Sequence, residues 1–338
     1  MTPETARWAR DPQRPRLLIA RMSAIGDTIL TAPVAVRLRE RFPDAFIAWV
    51  VEQKASRFVV GHPAIDEAVV LPRGWFVSAK GVAAARAALR PLRIDASIDC
   101  QSNTKSALAC WLSGARTRIG CRGRYGAELS PLLNNRLVRP ATRHLTDRSL
   151  ELLGPLGFDP AGTPDPGVGW RLPMPPGAQR AVADWLVSDE APAHAETGFA
   201  VINPGATWDS KRWEMDRFGA IAERLGRRWS MPTVVVWGDD REHADAERIV
   251  AASDGAAIVG PPTTLPELAS LLSQTRLLVS GDTGPMHLGV AVGAPTVGLF
   301  GATDPRDCGP YGAPHEAVSN ELLVGGRKKR RRADNSAM

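Results

Sequence analysis

The stretch LLVSGDTGPMHLGVAVGAPTVGLFG, residues 277–301, decides the fold. Leu277–Ser280 is a short apolar run that reads as a strand and leads into Gly281-Asp282-Thr283-Gly284. Pro285 suits a first helical position, so a helix is expected over Met286–Val292 and a second strand over Thr296–Phe300. Strand, helix and strand within so short a span make a parallel pair joined by a right-handed crossover.

The same alternation extends in both directions. Before this unit, strands are expected at Phe199–Ile202, Thr233–Trp237 and Ala257–Val259, with helices at Asp216–Arg228, Arg241–Ala252 and Leu265–Ser273. In the first half, strands are expected at Arg16–Ala20, Phe46–Val51, Glu67–Leu71, Ala96–Asp99 and Arg118–Gly120, and a helix at Ile29–Arg41. Runs such as TVVVW lack polar alternation, as strands buried on both faces do. The Pro- and Gly-rich segment Phe158–Gly177 reads as a linker between the halves. The fold class expected is therefore α/β, two Rossmann-like domains with parallel sheets facing an interdomain cleft. Boundaries are expected at 1–165 and 166–325, with 326–338 a basic, disordered tail.

Composition narrows the class further. The chain has 338 residues, 44% hydrophobic and 23% charged, enough for two cores without staples and too apolar for disorder. Lys and Arg number 42 against 36 Asp and Glu, but Arg327-Lys328-Lys329-Arg330-Arg331-Arg332 carries six of the basic residues and the remainder is balanced. A nucleic-acid surface on the folded body is thus not indicated, and the tail reads either as solvated chain or as attracted to an anionic membrane. Cys100, Cys110, Cys121 and Cys308 have neither zinc nor redox-pair spacing and read as free thiols of a reducing compartment. With no long apolar run and no signal-peptide core, a cytoplasmic location is expected, with peripheral association at the inner membrane a further reading.

Four loops carry the chemistry. In LLIARMSAIGDTILTAP (17–33), a strand ends at Arg21 and Asp27 stands at the start of a helix. Asp27 reads either as an N-cap or as a carboxylate base kept ionised by the helix. In INPGATWDSKRWEMDRF (202–218), hydroxyls, amides and Lys211 after a strand end suit a diphosphate, or else form a polar loop with a solvated lysine. In the 277–301 stretch, Asp282, Thr283, Gly284 and His287 gather at one strand end beside helix amides, a setting for an anion; the other reading is helix capping with a satisfied imidazole. In VVVWGDDREHADAERI (234–249), Asp239 and Asp240 read as ending a strand, where a carboxylate accepts from ribose hydroxyls or caps the next helix. No Walker, metal-ligand or Gly-x-Ser-x-Gly pattern occurs.

Together these segments resemble the bacterial lipopolysaccharide heptosyltransferases of glycosyltransferase family 9, which use ADP-heptose. The resemblance runs from RLLIARMSAIGDTILTAPVAVRLRERFPDAFIAWVVEQ to DTGPMHLGVAVGAPTVGLFGATDPRDCGPYG, and WVVE, DCQSNTKSA and TDP…GPYG align it with the branch that adds the first heptose. It implies a GT-B fold and inverting, metal-independent transfer, without cofactor, from ADP-L-glycero-D-manno-heptose to a Kdo residue of lipid A. It implies that Asp27 is the base, that Thr207 and Lys211 hold the donor diphosphate, that Asp240 contacts ribose, and that Asp282, Thr283, Gly284 and His287 form the donor loop. Arg73 in LPRGW and Lys105 in NTKSA match acceptor-side positions. A monomer without nucleic-acid partners is expected. Two departures stand out: Ala206-Thr207 replaces a pair of hydroxyl residues, and Asp240 stands where the family has Glu. The competing readings are a different nucleotide-sugar donor, or a nucleotide-sugar epimerase of the same fold that needs no acceptor.

Overall fold

The computed structural model describes residues 8–159, 170–192, 198–206 and 208–319. It divides into two compact units, Met1–Pro173 and Met174–Met338. The first contains β1 (Arg16–Ala20), α1 (Ile25–Arg41), β2 (Phe46–Glu52), β3 (Glu67–Leu71), α2 (Ala79–Leu89), β4 (Ala96–Asp99), α3 (Thr104–Ser113), β5 (Thr117–Cys121), α4 (Ser130–Leu133), β6 (Arg136–Val138) and α5 (Leu145–Glu151). The second contains α6 (Pro176–Leu186), β7 (Ala200–Asn203), α7 (Met215–Trp229), β8 (Thr233–Val235), α8 (Asp240–Ala251), β9 (Ala257–Val259), α9 (Leu265–Leu272), β10 (Leu277–Gly281), α10 (Gly284–Ala291), β11 (Thr296–Phe300), α11 (Pro305–Cys308) and β12 (Glu316–Ser319).

Each unit is built on one parallel sheet. The orders are β3-β2-β1-β4-β5-β6 and β9-β8-β7-β10-β11-β12, the same doubly wound arrangement twice. In the first sheet, Leu17 pairs with Ile47 on one side and Ala96 on the other; in the second, Leu277 pairs with Ala200. Alternate residues of β1 enter opposite cores, Leu17 and Ile19 on one face and Leu18 and Ala20 on the other. Ile47, Trp49 and Val51 of β2 join the first core, and Ala48 and Val50 the second. A strand with helices over both faces has no polar side to show, which is why these runs are continuously apolar. Truncating Leu18, which is fully buried, to Ala would cost about 2–5 kcal/mol.

Three local expectations need correcting. The first helix starts at Ile25 rather than near Asp27, so Asp27 is not an N-cap: Ala24 holds that place and Asp27 is the third helical residue. Strand β8 ends at Val235, so Asp239 and Asp240 do not end a strand; Asp239 N-caps α8, accepting from the Glu242 N–H at 2.9 Å, and Asp240 opens the helix. The segment read as a linker reaches into α6, since Pro176 and Gly177 already belong to that helix. The basic tail and Thr207 lie outside the described residues.

Candidate active site

In a doubly wound sheet, ligands bind beyond the carboxyl ends of the strands where the strand order reverses, because the loops there diverge and leave a crevice. The two reversals here lie between β1 and β4 and between β7 and β10. Most of the residues singled out by sequence stand at these two points.

At the first, β1 is followed directly by Arg21, whose side chain is 6% exposed and whose Nη1 donates to the Cys100 carbonyl at 2.9 Å. Trp49 Nε1 donates to the Arg21 carbonyl at 2.9 Å, which fixes the backbone as well. Arg21 Nη2 pairs with Asp27 Oδ2. The partners differ in exposure: the guanidinium is buried, while the Asp27 side chain is 39% exposed. Asp27 also faces the Ala24 N–H at 3.4 Å, and as the third residue of α1 it lies in the positive field of the helix start. Its carboxylate is thus held from behind and open in front.

Lys105, the second residue of α3, reaches the same turn. Its Nζ donates to Ser23 Oγ at 2.9 Å and pairs with Glu52 Oε1 at 2.6 Å, with both charged side chains about 85% buried. Arg148 is near as well: burial lowers its pKa, the Arg21 charge adds to that, and Asp27 opposes it. The guanidinium groups of Arg124 and Arg148 lie 4.6 and 4.7 Å from the Tyr125 ring. Arg73, just after β3, is exposed.

At the second reversal, β10 delivers Asp282, 5% exposed. Lys211 Nζ donates to Asp282 Oδ2 at 2.6 Å and to the Asp282 carbonyl at 3.1 Å. Thr303 Oγ1 donates to the same Oδ2 at 2.7 Å, and His287 Nε2 lies 3.6 Å from Oδ1. Burial alone pushes the Asp282 carboxyl up, but the His287 hydrogen bond and the Lys211 and His287 charges outweigh it, leaving the group well below the ordinary carboxylate range. Asn203, at the end of β7, ties the two strands together by donating to Ser280 Oγ at 2.9 Å and Thr283 Oγ1 at 3.0 Å.

Thr283 is the N-cap of α10 by position, yet its hydroxyl donates to the Gly281 carbonyl at 3.3 Å instead of serving the helix. Gly284 opens the helix and Pro285 follows. The His287 amide is engaged with the Thr283 carbonyl at 3.4 Å, so it is not a free donor. Its ring is not fully satisfied either: Nδ1 is buried with no hydrogen-bond partner among the described residues. A Lys ammonium and a helix start together favour an anion.

Glu242, which sequence reasoning missed, faces the loop after β7. A β-carbon on Gly205, in the loop after β7, would collide with its carboxylate, so glycine is what admits it. Glu242 Oε2 accepts from the Gly238 N–H at 2.8 Å; burial raises the carboxyl above the usual glutamate value, the Asp239 charge adds to this, and that hydrogen bond opposes it. Asp240 is exposed on the first turn of α8. Asn203, Arg21, Glu52 and Thr303 were also missed. Arg21 and Glu52 had a signal, each being a charge that closes an apolar strand. Among the described residues no group of three or more His, Cys, Asp or Glu is arranged to hold a metal, and no helix is long and apolar enough to cross a membrane.

Known proteins share this architecture. The chain is 28% identical to lipopolysaccharide heptosyltransferase 1 of Pseudomonas aeruginosa over 312 residues, covering 88% of this chain and 81% of that one. The structure of E. coli heptosyltransferase WaaC with ADP-2-deoxy-2-fluoro heptose superposes with a TM-score of 0.70 at 27% identity, covering 90% of this chain and 92% of that one. A glycosyl transferase family 9 structure from Veillonella parvula matches in fold, with a TM-score of 0.77 at 24% identity over 93% of this chain and 88% of that one. The fold is that of the GT-B heptosyltransferases, an α/β architecture of two Rossmann-like domains. The family profile described as Glycosyltransferase family 9 (heptosyltransferase) matches residues 82–336, and the chain belongs to that family of glycosyltransferases.

Proposed function

We propose that this enzyme transfers heptose from ADP-L-glycero-D-manno-heptose to a Kdo residue of lipid A, with inversion, in lipopolysaccharide core assembly. The observation that carries the reading is Lys211 Nζ, held by Asp282 at 2.6 Å beside the amino end of α10. An ammonium has three donors, two of which are engaged with Asp282; the third, beside the Trp208 ring at 5.0 Å, has no hydrogen-bond partner among the described residues and would serve the donor's diphosphate. The ADP-heptose analogue bound by WaaC and the lipopolysaccharide relatives support the choice of donor and acceptor.

In this mechanism the acceptor hydroxyl oxygen attacks the anomeric carbon from the face opposite ADP. A C–O bond forms as the bond to the diphosphate oxygen breaks, and the acceptor proton passes to Asp27. Lys211 and the α10 amides offset the charge gathering on departing ADP. Thr283, Gly284 and His287 complete the donor loop, with Thr207 as a further hydroxyl on the diphosphate. Glu242, facing the Gly205 loop, is better sited than exposed Asp240 to accept from ribose hydroxyls. Lys105 and Arg73 serve the anionic acceptor. The first unit accordingly carries the base and acceptor, and the second the nucleotide sugar.

The test is incubation with ADP-heptose and a Kdo-bearing lipid A, followed by mass analysis. One added heptosyl unit and released ADP are expected. Consumption of donor without acceptor would indicate an epimerase, and transfer from another nucleotide sugar alone would replace the donor assignment.

A further inference from the structure

The outer side of α7 has a feature that the transfer chemistry does not use. Arg217, Ala220, Ile221, Arg224 and Arg228 recur at spacings of three and four residues, which places them along one stripe of the helix. With Trp213, Glu223 and Arg227 they line an open groove of about 690 Å³. The helix is anchored mainly through Met215, Phe218 and Ala222, buried in the core of the second unit, with Ile221 and Trp213 partly buried against it. Ala220, Arg224 and Arg228 of the stripe remain exposed.

Its charge is only partly compensated. Arg227 pairs with Glu223 at 2.7 Å and Arg217 with Glu214 at 3.0 Å, all within the helix or its first turn. Arg224 and Arg228 are exposed and have no carboxylate partner among the described residues. The Arg228 guanidinium lies 5.8 Å from the ring of Trp229, which is 56% exposed at the end of the helix. Between the cations the floor is apolar, made by Ala220 and Ile221.

We propose that this face of α7 is a docking surface for an anionic phospholipid bilayer, its arginines taking lipid phosphates. Guanidinium groups bind phosphate oxygens in pairs, and their apolar stems cover the hydrophobic floor while the heads reach the headgroups. A row of arginines over an apolar strip with aromatic rings at its ends suits the interface of a membrane. From Arg217 to Arg228 the strip is about 17 Å long, enough to meet several headgroups. The choice of a bilayer over a soluble polyanion rests on the proposed lipid-borne acceptor, which obliges the enzyme to work at a membrane surface.

The experiment is vesicle flotation of the full-length protein, without donor or acceptor. Vesicles of phosphatidylethanolamine with phosphatidylglycerol are compared with vesicles of phosphatidylcholine alone. Changing residues 327–332 to glutamine in the intact chain removes the tail's own attraction. This protein is expected to float with the anionic vesicles and not with the neutral ones. Adding Arg224→Gln and Arg228→Gln should lower partitioning about 30-fold, and lysine at both positions should preserve it. Transfer to a detergent-dispersed acceptor should be unaffected by either pair. Equal partitioning of the glutamine and arginine proteins would overturn the proposal, as would loss of all binding on neutralising the tail alone. Binding of an oligonucleotide through Arg224 and Arg228, with none to vesicles, would overturn it too. Because flotation needs no turnover, failed heptosyl transfer would count against the reaction and leave the vesicle result standing.

Discussion

The two strand-order reversals present the same residue type in opposite settings. Asp27 is 39% exposed and held by one buried arginine, whereas Asp282 is 5% exposed and surrounded by Lys211, Thr303 and His287. A carboxylate gripped from one side keeps lone pairs for an incoming proton. A carboxylate whose oxygens are already taken cannot act as a base, but it fixes the cation next to it. Chemical role here follows from which side of the group is left to the solvent, and the residue name alone does not reveal it.

The largest effect should come from removing the open carboxylate. Asp27→Asn is expected to lower kcat by about 10²–10⁴-fold with little change in thermal stability, measured by steady-state kinetics and calorimetric melting. Near-normal turnover would erase the contrast with Asp282.

The enclosed carboxylate should show the reverse pattern in stability. Asp282→Ala leaves the mostly buried Lys211 ammonium without its partner and should destabilise the second unit by up to about 3 kcal/mol in urea unfolding. The pH dependence sharpens this. A carboxyl held below its unfolded value contributes stability above that unfolded value, and loses it only as pH falls through the lower folded value. The deficit of Asp282→Ala should therefore be as large at about pH 5 as at about pH 7.

A smaller effect separates Glu242 from Asp240. Glu242→Gln should raise the donor KM about tenfold, and Asp240→Asn by much less, read from initial rates at varied ADP-heptose. Equal shifts would return the ribose contact to Asp240. The smallest effect concerns His62, whose Nδ1 accepts from the Ala64 N–H at 3.1 Å and whose Nε2 lies 2.9 Å from the Trp170 carbonyl. Burial holds its pKa below 6.5, partly opposed by the Trp170 bond, so the folded state keeps the ring neutral. The unfolded chain takes up the proton first, and stability should fall as pH drops below about 6.5, visible as a declining urea midpoint that His62→Gln flattens.

How much of this was legible in the sequence depended on burial. The strands that form the interior of both sheets announce themselves as apolar runs, because helices cover both their faces. The edge strands β6 and β12 did not: Arg136 and Leu137 are exposed, and all of Glu316–Ser319 is exposed, so no apolar pattern marks them. The early start of α1 was hidden because Ala24, which has no capping side chain, holds the N-cap. The loops that carry Asp27, Lys211 and Asp282 were visible from their place after apolar strands. Their pairings were not, since Lys211 and Asp282 are 71 residues apart and meet only through sheet topology. Glu242 was overlooked in favour of Asp240 because residues two apart on a helix face nearly opposite ways: the third helical residue reaches back toward the cap, and the first points outward.

The division of labour between the two loops is tested most directly by calorimetric titration of ADP into Asp27→Asn and Lys211→Ala side by side. ADP affinity should match wild type in the first protein and fall at least tenfold in the second, the scale of one charge-assisted contact. If Asp27→Asn weakened ADP as much as Lys211→Ala, the separation of proton acceptor from nucleotide cradle would be contradicted.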